Sequence, residues 1–188
     1  TATAAGIDGA SYRHLDVSSE SEWEAVIDAV VAEHGRLDVL VNNAGIDLVR
    51  KLDATTLEEF ERVVSINLTG TFNIIRFAAL AMTRNAPDAD GGERGVIVNT
   101  ASVAAFDGQV GQEAYAASKG GIVGMTLPLA RDLAQWGVRV CTIAPGLFHT
   151  PLMAQLPDEV QKTLAASIPF PKRLGRPDEF AALAAHIV

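Results

Sequence analysis

Tyr115 and Lys119 stand four positions apart in a long apolar stretch. On a helix that spacing puts both side chains on one face. A phenol ordinarily titrates near ~10, too high to exchange protons efficiently at neutral pH. An ammonium beside it favours the phenolate and lowers that value. Bringing it towards neutrality takes roughly 3 pH units, or about 4 kcal/mol. Such a pair could pass a proton to or from an alcohol or carbonyl oxygen. An isolated Y-x-x-x-K on an amphipathic helix carries little information, because an unrelated Tyr and Lys meet this spacing by chance.

Four further features change that balance. Ser102 lies thirteen residues before Tyr115, just past an apolar strand-like run. Its hydroxyl could hold a substrate oxygen beside the phenol, although serine is also common in turns and helix caps. Asn67 falls in the middle of a helical pattern, where asparagine is disfavoured unless its side chain has a local use. Asn42-Asn43-Ala44-Gly45 and Pro145-Gly146 each follow another apolar run. Each reads alone as an ordinary turn; their order along the chain makes them specific.

The elements that must carry these residues alternate. Residues 12–17 read as a strand edge ending on aspartate and valine. Ser19-Glu20-Ser21-Glu22 reads as a capping box opening a helix that Gly35 stops. Residues 37–41 (LDVLV), 96–100 (VIVNT) and 138–144 (VRVCTIA) are compact apolar runs of strand length. Thr56-Leu57-Glu58-Glu59 is a second capping box, before a helix reaching about residue 82. Residues 85–95 form a polar loop, and a helix is expected over about 112–135. Two short helices follow, from about Asp158 and from Pro177, where proline suits a first turn. Apolar strands separated by helices imply a parallel sheet covered on both faces, the doubly wound α/β arrangement of the Rossmann fold, in one domain over 1–188. In such folds ligands bind beyond the carboxyl ends of the strands, where all the polar segments above fall.

Composition excludes other classes. A formal charge of −8 argues against nucleic acid held on a basic face. Cys141 is the single cysteine, which precludes an internal disulfide and fits a reducing compartment: the cytoplasm, or the mitochondrial matrix in a eukaryote. No apolar run reaches bilayer-spanning length by inspection, so no membrane association is expected. No second ligand at suitable spacing accompanies His149, so no metal is expected. Cys141, Trp23 and Trp136 read as packing residues. Only Arg76 is charged across residues 63–82, and only Lys119 across 114–130. Helices this apolar want burial on more than one side, which implies a homo-oligomer.

Taken together, Asn42–Gly45, Asn67, Ser102, Tyr115-Ala116-Ala117-Ser118-Lys119 and Pro145-Gly146 resemble the short-chain dehydrogenase/reductase family across essentially the whole chain. The resemblance implies a catalytic tetrad of Asn67, Ser102, Tyr115 and Lys119. Tyr115 would be the general acid or base, Ser102 would orient the substrate oxygen, and Lys119 would lower the tyrosine pKa and bind the nicotinamide ribose. Asn67 would hold a water that extends the proton relay. Asp16 and Val17 would meet the adenine, and Asn43, Ala44 and Gly45 the adenosine ribose. Pro145, Gly146, Leu147 and Thr150 would border the nicotinamide. The cofactor implied is NAD, with NADP left open.

Residues 98–133 and 142–152 further resemble a branch that interconverts 3-hydroxyacyl-CoA and 3-oxoacyl-CoA, as do the 85–95 loop and Pro128 within a helix. On that branch Gln109 would touch the acyl thioester, though a solvated loop glutamine is equally natural there. A tetramer is the assembly this resemblance implies. A reductase of other 3-oxoacyl thioesters, a hydroxysteroid dehydrogenase and a non-catalytic scaffold are the alternatives. The family's glycine-rich phosphate turn, the strand before it and its last strand do not occur in the sequence, and the scaffold alternative rests on that.

Overall fold

A computed structural model describes residues 6–151 and 153–188. The first helix, α1 (Glu20–His34), opens on Ser19, whose hydroxyl accepts from the Glu22 amide, and closes on Gly35 at φ 79°. That left-handed turn is nearly free of cost only for glycine. The expected capping box is half made. Glu22 turns its carboxylate outward to the Asp16 amide at 2.7 Å instead of returning to Ser19. Residues 12–17 form no strand, because no described segment lies alongside to pair with them. Leu15 and Val17 nevertheless pack against Trp23 and Ile27 of α1.

Strands β1 (Val39–Asn42), β2 (Gly95–Thr100) and β3 (Val138–Ile143) form a parallel sheet in that order, with Val39 opposite Val96 and Gly95 opposite Val138. Alternating side chains serve opposite faces. Ile97, Val138 and Val140 pack with Ile75, Ala79 and Met82 of α3 (Gly70–Met82) and with Leu129 and Leu133 of α4 (Glu113–Ala134). On the other face, Val96, Val98 and Ile143 meet Phe180, Ala184 and Ile187 of α6 (Pro177–Ile187). Helices therefore cover both faces, as expected of a doubly wound sheet. Helix α5 (Asp158–Ser167) lies in the excursion between β3 and α6.

Helix α2 (Leu57–Val64) begins with a complete Thr56–Glu59 capping box. It continues through a π-helical turn, Ser65–Thr69, into α3. The continuous stretch Leu57–Met82 is long and apolar enough to cross a bilayer, contrary to the expectation drawn by inspection. The charged positions of its first turns, Glu58 to Arg62, hide that length when the sequence is read by runs. Here Val63, Ile74, Ile75, Ala78 and Met82 of that stretch are buried in the protein core. Pro128 is accommodated inside α4. Trp136 is half exposed rather than packed, because it follows the end of α4 at a surface turn, and Cys141 is only partly buried.

Candidate active site

Three strand ends deliver the polar residues to one edge of the sheet, and short bonds hold their loops together. Ala101 donates its amide to Ile143 O at 2.8 Å, and Val103 donates to Pro145 O at 3.0 Å. Asn42 Nδ2 bridges to Asn99 Oδ1 at 2.8 Å, and the Thr100 hydroxyl reaches Asn43 Oδ1 at 3.2 Å. Ser102 caps a short 3-10 turn, Val103–Ala105, its hydroxyl accepting from the Ala104 amide at 3.1 Å.

Tyr115 and Lys119 sit in the first turns of α4. Lys119 Nζ lies 5.6 Å from the Tyr115 ring centroid and donates to Thr100 O at 2.8 Å. The lysine is 4% exposed. Burial pulls its pKa down to about 8, against the opposing pull of the nearby Asp47 carboxylate. Tyr115 moves the other way from the sequence expectation. Its pKa is raised, first by burial, with a hydrogen bond from Ser102 lowering it and Asp47 raising it. The ammonium bonds Thr100 O and lies over the ring, and it is not among the groups that lower the Tyr115 value, so burial prevails.

Asn67 is fully buried in the π-helical turn. Its Oδ1 accepts from the Ile46 amide at 2.8 Å, and its Nδ2 donates to Ile46 O at 2.9 Å and to Ser118 Oγ at 3.0 Å. Both amide hydrogens are thereby used. The side chain clamps the Asn42–Gly45 loop rather than offering a donor to a relay water. Ser118 hands the link on, its hydroxyl donating to Tyr115 O at 2.8 Å. Ser118 and the Thr100 carbonyl were missed as site groups in the sequence. The position of Ser118 inside Y-A-A-S-K was the available signal, whereas a backbone carbonyl leaves none.

Gly45 explains the last residue of its turn. A Cβ there would stand 3.2 Å from Asn67 Oδ1 and 3.6 Å from Lys119 Nζ. Its absence leaves Lys119 open on that side. An ammonium has three donors, and Thr100 O is the only acceptor it meets among the described residues. A neighbouring diol or other oxygen-rich group fits that unfilled capacity.

The remaining expected residues form a second group. A cavity of about 620 Å³ is lined by Asn43 and Thr100 with Pro145, Gly146, Leu147 and Thr150. Phe148 and Phe180 close it, edge to face at 6.3 Å. A smaller space of about 150 Å³ is bordered by Val17, Asn43 and Ala44. Asp16 is exposed beside Val17, and bonds from the Ser18 hydroxyl and amide hold its carboxyl below the usual range. The structure thus brings together Asn67, Ser102, Tyr115 and Lys119, and separately lines the cleft with the strand-end residues. Gln109 stays on an exposed loop, its amide donating to Gln112 Oε1 at 3.1 Å. His149 is exposed, and no metal-binding cluster occurs among the described residues.

Comparison with known proteins is consistent with this geometry. The family model described as short chain dehydrogenase matches residues 2–161. The 3-hydroxyacyl-CoA dehydrogenase type-2 of Bos taurus is 58% identical over 184 residues, covering 95% of this chain and 70% of that protein. The Homo sapiens protein of the same name is 56% identical, covering 92% and 68%. A crystal structure of 3-hydroxyacyl-CoA dehydrogenase type-2 from Mycobacterium avium superposes with a TM-score of 0.85 at 41% identity, over 93% of this chain and 69% of that one. A match this long, on a sheet that presents its polar residues at the strand ends, means that the chain belongs to the short-chain dehydrogenase family.

Proposed function

We propose that this protein is an NAD-dependent 3-hydroxyacyl-CoA dehydrogenase, reversibly oxidising the 3-hydroxyl of an acyl thioester to the ketone. Dehydrogenases of this family use NAD(H) or NADP(H), and NAD is the choice proposed here. The observation that carries the reading is the cluster of part-buried Tyr115 with buried Lys119 and Ser102, in which the lysine ammonium uses only part of its donors. Identity above half to two mammalian proteins of that activity supports the substrate class.

Bound NAD supplies the two-electron acceptor for hydride from the carbinol carbon. The chain supplies the rest. In oxidation the substrate hydroxyl gives its proton to Tyr115 Oη, and in reduction the phenol returns it. Ser102 holds the same oxygen by a hydrogen bond. Lys119 meets the ribose hydroxyls with its spare donors and favours the tyrosinate. Asn67 keeps the Asn43–Gly45 turn in place, and Pro145, Gly146, Leu147 and Thr150 border the nicotinamide. Asp16 and Val17 receive the adenine, and Gln109 faces the acyl end. We include in the proposal a homo-oligomer, because Phe72, Leu80 and Leu127 remain exposed on α3 and α4, with a tetramer as the assembly that the family resemblance implies.

Purified protein should consume NADH when given acetoacetyl-CoA. No turnover with any short 3-oxoacyl thioester would overturn the reading. Higher kcat/KM on steroids than on thioesters would instead favour a hydroxysteroid dehydrogenase.

A further inference from the structure

Asp47 follows the Asn42–Ile46 loop directly, and nothing in the proton-transfer scheme above uses it. It is exposed overall, yet partial burial of its carboxyl pushes it above the ordinary value, against bonds from Leu48 and Gln112 and the attraction of Lys119. Its Oδ2 accepts from Gln112 Nε2 over a long 3.5 Å. Gln112 Oε1 in turn holds the Gln109 amide at 3.1 Å. The two loops also meet through their backbones. Arg50 donates its amide to Gly111 O at 2.9 Å, and a Cβ on Gly111 would come within 3.1 Å of the Arg50 backbone.

We propose that Asp47 is a positioning residue of the reaction: anchored by Gln112, it ties the Gln109 loop to the strand-end loop and fixes a negative charge beside Tyr115 and Lys119. The inference rests on the proposed role of Tyr115 as proton carrier. Its electrostatic partners are few. From α4 the charged or titrating groups facing it are Tyr115 and Lys119, and each feels Asp47 in return. From its own loop, Arg50 is drawn away to Glu59 of α2 at 2.8 Å. Asn67 and Gln112, the other neighbours, are neutral. A carboxylate in this place opposes formation of the tyrosinate and supports the ammonium. It therefore adds to the effect of burial in holding Tyr115 as a donor, which suits the reduction of a ketone, and moves oxidation towards more alkaline solution.

The test separates charge from anchoring. Asp47→Asn keeps an acceptor for Gln112 and removes the charge; Gln112→Leu does the reverse. Tyrosinate absorbance is titrated in each protein, with the same protein carrying Tyr115→Phe subtracted to leave Tyr115 alone; Tyr12 is the other tyrosine of this sequence. The Tyr115 midpoint should fall in Asp47→Asn, and the rising limb of kcat/KM for oxidation should move with it in the same direction. In Gln112→Leu the midpoint should stay in place while KM for the thioester rises several-fold. An unmoved midpoint in Asp47→Asn would overturn the inference, as would an equal fall in Gln112→Leu. Because the absorbance needs no substrate, a shifted midpoint in a protein that does not turn over thioesters would sink the substrate reading and leave this one standing.

Discussion

Asn67 and Ile46 grip each other reciprocally: the amide oxygen of Asn67 takes the Ile46 N–H at 2.8 Å while its nitrogen gives a hydrogen to Ile46 O at 2.9 Å. This bond pair joins the π-helical turn to the loop after β1, and Ser118 extends it to Tyr115. A buried donor or acceptor left without its partner costs about 1–3 kcal/mol. Asn67→Ala is expected to lower stability by about 2–4 kcal/mol, since it strands both Ile46 groups. Urea unfolding checks this. An Asn67→Ala midpoint equal to the parent's would show that the clamp does not hold.

Gly70 makes a second, less visible contact. A Cβ there would stand 2.7 Å from Val17 O, a backbone atom that already receives Trp23 Nε1 at 2.9 Å. Gly70→Ala must push away the segment bearing Asp16 and Val17. If those residues meet the adenine, nucleotide affinity drops about tenfold, the equivalent of 1.4 kcal/mol, while kcat at saturating cofactor is kept. Fluorescence titration of NADH gives the affinity, and unchanged binding would remove Asp16 and Val17 from the nucleotide site.

Much of this was legible beforehand, and what escaped has physical causes. The three apolar runs became the three strands, and Gly35 and Thr56 bounded helices as their chemistry requires. The Tyr115–Lys119 spacing and Ser102 came together as their residue types suggested. The π-helical turn left no mark in the hydrophobic periodicity, because the extra residue is absorbed within an unbroken apolar stretch; only Asn67 hinted at it. Residues 12–17 look like a strand by composition, but a strand exists only with a neighbour. The acceptor of Lys119 is a backbone carbonyl, which any residue carries, so Thr100 could not be singled out.

Lys119 links the site to stability. Its folded pKa of about 8 lies below the ordinary 10.5, so the unfolded chain holds more protons between those values. Stability contributed by this group is therefore complete above pH 10.5, and is lost as pH falls through about 8. Replacing the ammonium removes that cost but also the bond to Thr100 O. Lys119→Met should be more stable than the parent by about 2 kcal/mol at pH 7, with the margin largely gone near pH ~10. Urea midpoints of both proteins at the two pH values test this, and a less stable variant at pH 7 would contradict the burial assigned to Lys119. The same variant should lose NADH affinity, as expected if the ribose depends on this cation.

The central claim is that Tyr115 carries the proton, and Tyr115→Phe tests it most directly. The ring and its packing remain while the hydroxyl is lost. NADH consumption with acetoacetyl-CoA should fall at least ~100-fold, the scale of a lost general acid, while NADH binds as it does to the parent. Turnover retained within a few-fold of the parent would contradict the account.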